Sequence, residues 1–201
     1  MAEPARKVSR RATYQDLLAV PEHLVAEIID GELVASPRPA SPHARASSIM
    51  GADLIGPFDR GAGGEGGAPG GWWILDEPEL HLREDVLVPD LAGWRRERMP
   101  VLPNTPAFEM APDWIAEVVS PSSARLDRVH KTGIYAREKV GHLWLIDPLA
   151  QTLEVFRLEG GNWLMASAFA GSLRVRAEPF HAIELEMGRW WIEPSPSEGG
   201  R

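Results

Sequence analysis

Residues 114–119 constrain this chain most: Trp114, Ile115, Ala116, Val118 and Val119 form an apolar run of strand length around one acid, Glu117. Burying a carboxylate among such neighbours costs several kcal/mol unless it is paired or bound to a cation. The fold must therefore bring Glu117 a partner. A second apolar run, Val86-Leu87-Val88-Pro89-Asp90, delivers another carboxylate at its end, directly after a proline. The helix expected after residue 119 sets Asp127, Lys131 and Tyr135 four residues apart, hence on one face.

The surrounding pattern predicts a mixed sheet flanked by helices, of α/β or α+β class. Thr13 suits the N-cap of a short helix ending before Pro21. Two β-rich runs, 24–30 and 32–35, meet at Asp30-Gly31, a turn pair that tolerates positive φ and so signals a hairpin. Residues 43–58 carry Ile49, Leu54, Ile55 and Phe58 on a helical period. The glycine-rich stretch 61–71 reads as a flexible loop and lacks the Lys-Ser/Thr ending of a phosphate-binding loop. Strands are expected at 72–75, 79–82, 87–94, 113–119, 142–146, 152–158 and 162–170, with Gly160-Gly161 as a hairpin turn. The helix after Ser120 should run to about residue 139, turn Leu126, Val129, Ile134 and Tyr135 inward, and be capped by Gly141. Residues 1–12 read as a basic flexible arm, 13–192 as one domain and 193–201 as a disordered tail.

Composition narrows the classes further. A chain of 201 residues suits a single domain, able to bury roughly 70% of the surface its unfolded form exposes. It has no cysteine, which removes disulfides, thiolate metal sites and cysteine nucleophiles together. No apolar run approaches the ~18–20 residues of a membrane helix, and residues 1–11 have no apolar stretch behind their charges. The expected location is the cytoplasm. Eight tryptophans, Trp72, Trp73, Trp190 and Trp191 among them, read as core or interface anchors.

Several of these features together resemble a known family. They are Pro89-Asp90, the strand glutamate in Glu117-Val118-Val119-Ser120-Pro121, the helix bearing Lys131 and Tyr135, and the strand Leu143-Trp144-Leu145-Ile146-Asp147-Pro148. The hairpin Glu27-Ile28-Ile29-Asp30-Gly31-Glu32-Leu33, and His43 after a proline-rich loop, complete the set. Over about residues 13–192 the chain resembles the Uma-type restriction endonucleases of the PD-(D/E)XK nuclease superfamily. The resemblance implies a restriction endonuclease-like fold: a central mixed sheet flanked by helices, with an N-terminal hairpin and additional C-terminal strands. It implies that neighbouring strands bring Asp90 and Glu117 together at one edge of the sheet, in a pocket open to solvent. There they would hold Mg²⁺ or Mn²⁺, and a metal-activated water would hydrolyse phosphodiester bonds, in DNA. Glu27 would complete the site, with Glu32 competing for that role, and His43 and Tyr135 are candidate substrate contacts. Where the superfamily carries its lysine, two residues past the strand acid, this chain has Val119; Lys131 is then the relocated lysine. Cutting both strands of a duplex favours a homodimer.

Each residue also admits a plainer reading. Asp90 can bind backbone amides, and a buried arginine can satisfy Glu117. Lys131 can be a solvated helix lysine, His43 a cap or surface residue, and Tyr135 core packing. Asp147 before Pro148 reads as a strand-ending turn. The net charge of −8 runs against a simple phosphate-binding surface, although a metal site must itself be acidic. Basic residues cluster at Arg6, Lys7, Arg10 and Arg11, at Arg95, Arg96 and Arg98, and at Arg125, Arg128, Lys131, Arg137 and Lys139. Two other functions compete. One is a catalytically inactive nuclease-fold module binding nucleic acid or a protein partner, which the acidity and Val119 favour. The other is a structural homodimer formed through the tryptophan-rich C-terminal strands.

Overall fold

Local chemistry starts the chain as expected. In the computed structural model, which describes residues 10–60, 67–121 and 123–192, Thr13 and Asp16 form a reciprocal capping box at α1 (Tyr14–Leu18). Strands β1 (Leu24–Ile29) and β2 (Glu32–Pro37) pair antiparallel around Asp30 at φ 54° and Gly31 at φ 82°, the consecutive left-handed pair of a primed turn. Most of the expected arm (1–9), the first part of the glycine-rich loop (61–66) and the tail (193–201) lie outside the described residues. The end of the arm is anchored: Arg10 pairs with Asp16, Arg11 with Glu84, and Ala12 donates its amide to Gly31.

Helix α2 (Ser41–Phe58) buries Ala46, Met50, Leu54 and Phe58, but Ile55, expected inward, is exposed. Beyond it the strands form two mixed sheets. The six-stranded sheet has the order β11-β10-β9-β8-β6-β3 and the five-stranded sheet β2-β1-β5-β4-β7. The additional strands are β3 (Trp72–Asp76), β4 (Glu79–Leu82), β5 (Asp85–Leu87), β6 (Leu91–Arg95), β7 (Ala107–Phe108) and β8 (Trp114–Val118). They continue with β9 (His142–Asp147), β10 (Thr152–Glu159) and β11 (Asn162–Ala170), and a small pair, β12 (Arg174–Val175) with β13 (Leu185–Glu186). Gly160 and Gly161, at φ 56° and 83°, make the β10–β11 turn.

The strand expected at 87–94 is broken. β5 belongs to one sheet and β6 to the other, because Pro89 has no N–H to continue a ladder. The chain crosses in the opposite direction at Glu77-Pro78, between β3 and β4. The two crossings are tied together by the Glu77 amide, which donates to the Asp90 carbonyl at 3.1 Å.

β8 is buried on both faces. Trp114, Ala116 and Val118 pack with Met50 and Leu54 of α2, Trp144 and Trp190. Ile115 and Val119 face the other core, shared by Leu80 and Leu87 of the five-stranded sheet and by Ile134 and Tyr135. Glu117 lies on that second face by strand alternation. The helical segment after β8 contains a π-helical turn, Leu126–Lys131, and continues as α3 (Thr132–Arg137). Val129, expected inward, is 61% exposed, and the left-handed residue that ends the helix is Lys139 (φ 63°) rather than Gly141. Gly141 is needed for space instead, since a Cβ there would lie 3.3 Å from the Asp113 carbonyl oxygen.

Trp190 and Trp191, expected as core or interface anchors, are buried in the core of this chain. Among the described residues no helix is long and apolar enough to cross a membrane.

Candidate active site

The candidate site forms where β6 and β8 lie side by side. These strands are antiparallel with Leu91 opposite Ala116, so one further step brings Asp90 beside Glu117. Asp90 Oδ2 accepts the Val118 amide at 2.7 Å, which fixes the carboxylate at the end of β8. From the π-helical turn, Lys131 extends its ammonium into the acids: Nζ lies 2.9 Å from Glu27 Oε1, 3.3 Å from Glu117 Oε1 and 3.6 Å from Asp127 Oδ1. π-helical turns occur often at functional positions, and this one carries both Asp127 and Lys131 to the interior. One turn on, Tyr135 donates its hydroxyl to Glu117 Oε1.

Glu27 has two roles in the geometry. Its Oε1 pairs with Lys131 and also accepts the Val88 amide at 2.8 Å, so the hairpin strand β1 grips the crossing that precedes Asp90. His43, in the first turn of α2, sets Nε2 3.3 Å from Asp90 Oδ1. Its Nδ1 is buried without a hydrogen-bond partner among the described residues.

Three carboxylates (Glu27, Glu117 and Asp127) thus pair with the Lys131 ammonium, and a fourth, Asp90, feels it through space. Burial pushes Asp90 up to about 7, only partly countered by the Val118 amide and Lys131. Burial also drives Glu117 well above the usual carboxylate range, against the pull of Lys131. For Lys131 burial disfavours the charge, yet Glu117, Glu27 and Asp127 together outweigh it and hold the ammonium well above its ordinary value. Burial lowers His43, which favours its neutral form, and raises the Tyr135 hydroxyl. A site that holds more negative charge than it can balance is one built for a further cation or for protons.

The structure brings Asp90, Glu117, Lys131 and Glu27 into this one cluster, with His43 against Asp90. Glu32 is exposed on β2 and does not take part. Tyr135, a candidate substrate contact, is fully buried and donates its hydroxyl to Glu117. Asp127 was missed as a site residue. Its spacing of four from Lys131 was readable, but the run Asp127-Arg128-Val129-His130-Lys131 has the composition of a solvated helix face. The partner of Glu117 is a lysine with a tyrosine, not an arginine. The cluster is also more closed than expected: the Glu117 and Lys131 side chains are 4% and 6% exposed, and only Asp90 (12%) and His43 (16%) reach toward solvent. Val119 is core. Asp147 accepts the Leu149 and Ala150 amides, the expected strand-ending turn.

The donors suit a hard cation. All are oxygens apart from His43, and no three His, Asp or Glu side chains among the described residues form a ready cage. Carboxylate oxygens are the donor type that hard divalent cations take.

A family model described as "Putative restriction endonuclease" (Uma2) matches residues 11–188. No curated protein matches the chain. Among solved structures, the chain is similar to one described as a "putative nuclease belonging to DUF820 from Anabaena variabilis ATCC 29413". The two are 21% identical, the match covers 90% of this chain and 97% of that one, and the TM-score is 0.69. At that identity the likeness bears on the fold, which both share. With that family model matching residues 11–188, the chain belongs to the Uma2 family, described as "Putative restriction endonuclease".

Proposed function

We propose that this protein is a Mg²⁺- or Mn²⁺-dependent endonuclease that hydrolyses phosphodiester bonds in DNA. The observation that supports it most is the convergence of Asp90 and Glu117, from adjoining strands, with the Lys131 ammonium in a cluster of excess negative charge. Asp90 and Glu117 would hold the metal. When bound, such an ion lowers the pKa of a water and draws charge from a phosphate oxygen. Lys131 offsets charge that builds on the phosphorus oxygens, or positions the attacking water. Glu27 keeps Lys131 in place and protonated, and Tyr135 fixes one oxygen of Glu117. Neutral His43 beside Asp90 is available to contact a phosphate or orient a water. A homodimer suits a duplex substrate, since two related sites meet two antiparallel strands.

The test is cleavage of plasmid and short duplex DNA with Mg²⁺ or Mn²⁺, by the parent, Asp90→Ala and Lys131→Ala. Loss of about a hundredfold or more in both variants, with their circular dichroism unchanged, is expected. Variants that cut as well as the parent refute the proposal.

One observation favours a second reading, a nuclease-fold module that binds nucleic acid or a protein without cutting. Lys131 is 5% exposed and fully engaged by carboxylates. That reading expects no metal uptake by calorimetry and binding that persists in chelator; metal binding that depends on Glu117 excludes it.

A further inference from the structure

The opening of the cluster is acidic, which is the wrong sign for a polyanion. Asp90 and His43 form its accessible end, and Glu77 flanks them: its amide is bonded to the Asp90 carbonyl, and its carboxylate acts through space on both Asp90 and His43. Glu77 holds φ at 44°, a left-handed conformation that favours glycine, so a strained backbone keeps a carboxylate at this position. The structure places one cation against it. Arg38, in the short link between β2 and α2, sets Nη1 3.3 Å from Glu77 Oε2. The link that carries Arg38 leads within five residues to His43, and the crossing that carries Glu77 is tied to Asp90. The ion pair therefore bridges the two segments that border the opening.

We infer that Arg38 is the residue that grips a backbone phosphate of the nucleic acid at the mouth of the site, and that Glu77 holds it there until a phosphate displaces the carboxylate. This rests on the nuclease reading above. Arg38 is 58% exposed and Glu77 39%, so their pair is solvated and weak, and its exchange is easy. A phosphate offers the guanidinium two acceptor oxygens in a fork geometry, against the single 3.3 Å contact made to Glu77. The exchange costs Arg38 little and leaves its charge satisfied in both states.

Binding of a short fluorescent duplex to the full chain in chelator, followed by anisotropy across about 50–200 mM salt, separates the outcomes. Arg38→Ala is expected to weaken binding about fivefold to tenfold and to lower the magnitude of the salt slope by about one, the signature of one lost phosphate contact. Glu77→Gln, which keeps the amide bond to Asp90, is expected to tighten binding about twofold to fivefold. That gain should vanish when Arg38 is also alanine, because it comes from releasing the guanidinium. A parent-like slope in Arg38→Ala, or an equal Glu77→Gln gain in both backgrounds, overturns the inference while leaving the nuclease reading intact. A parent that binds no duplex at any salt in the series also overturns the inference, while cleavage with Mg²⁺ or Mn²⁺ remains the separate test of the nuclease reading.

Discussion

Replacing Asp90 by asparagine is expected to stabilise the protein while abolishing cleavage. The carboxyl of Asp90 is held at about 7 instead of 3.8, mainly by burial. A difference of about three pH units, at about 1.4 kcal/mol per unit, makes the ionised form cost the fold on the order of 4 kcal/mol. The folded state holds this proton more tightly than the unfolded chain. Stability of the parent therefore declines as pH rises from about 4 to about 7 and then levels off. Asparagine has no proton to lose and can still accept the Val118 amide through its carbonyl oxygen. Its amide NH₂ would face His43 Nε2, now 3.3 Å from Asp90 Oδ1. Allowing for imperfect pairing of that amide, the gain should be about 2–4 kcal/mol at pH 8 and close to zero near pH 4. For a chain of this size that is about 5–10 °C in Tm. Urea unfolding in chelator at several pH values measures it. Mn²⁺ at a hundredfold excess over its Kd should then stabilise the parent by about 2.7 kcal/mol and leave the variant unmoved. An asparagine variant less stable than the parent at pH 8, or a difference that does not grow with pH, would refute the assignment of Asp90 as a desolvated, functionally retained acid.

Lys131→Met removes the ammonium that pairs with three carboxylates and should cost about 3–5 kcal/mol at pH 8, less near pH 5 where the acids take up protons; paired urea titrations check both. Tyr135→Phe deletes one donor to buried Glu117 and should cost about 1–3 kcal/mol. The same variant should move the acidic limb of the cleavage profile to higher pH, because Glu117 loses a bond that favours its ionised form; an unmoved limb means that Glu117 does not titrate with activity.

Much of the fold was legible. The turns at Asp30-Gly31 and Gly160-Gly161 were readable because they need left-handed backbone at two consecutive residues, and few sequences supply that. The β11 strand and the Thr13 cap follow from equally local rules. Glu117 stood out because an acid inside an apolar strand is costly wherever the chain goes. Other errors share one cause. The expected strand at 87–94 read through Pro89 because periodicity does not record which sheet a residue joins. Val129 and Ile55 fit a helical stripe, yet the neighbours that decide which stripe is covered lie far along the chain.

The sequence by itself determined the two hairpin turns, most of the longer strands and the need for a partner at Glu117, since these depend on short-range backbone preference and on the cost of burying charge. Only the tertiary structure decided what that partner is. Lys131 reaches Glu117 through a π-helical turn, Glu27 arrives from a strand in another sheet, and Asp127 turns from a surface-like run into the interior. Coulomb attraction among buried groups falls with a distance that sequence separation does not measure, so a cluster assembled from residues 27, 90, 117, 127 and 131 exists as chemistry only once the sheets have closed over it.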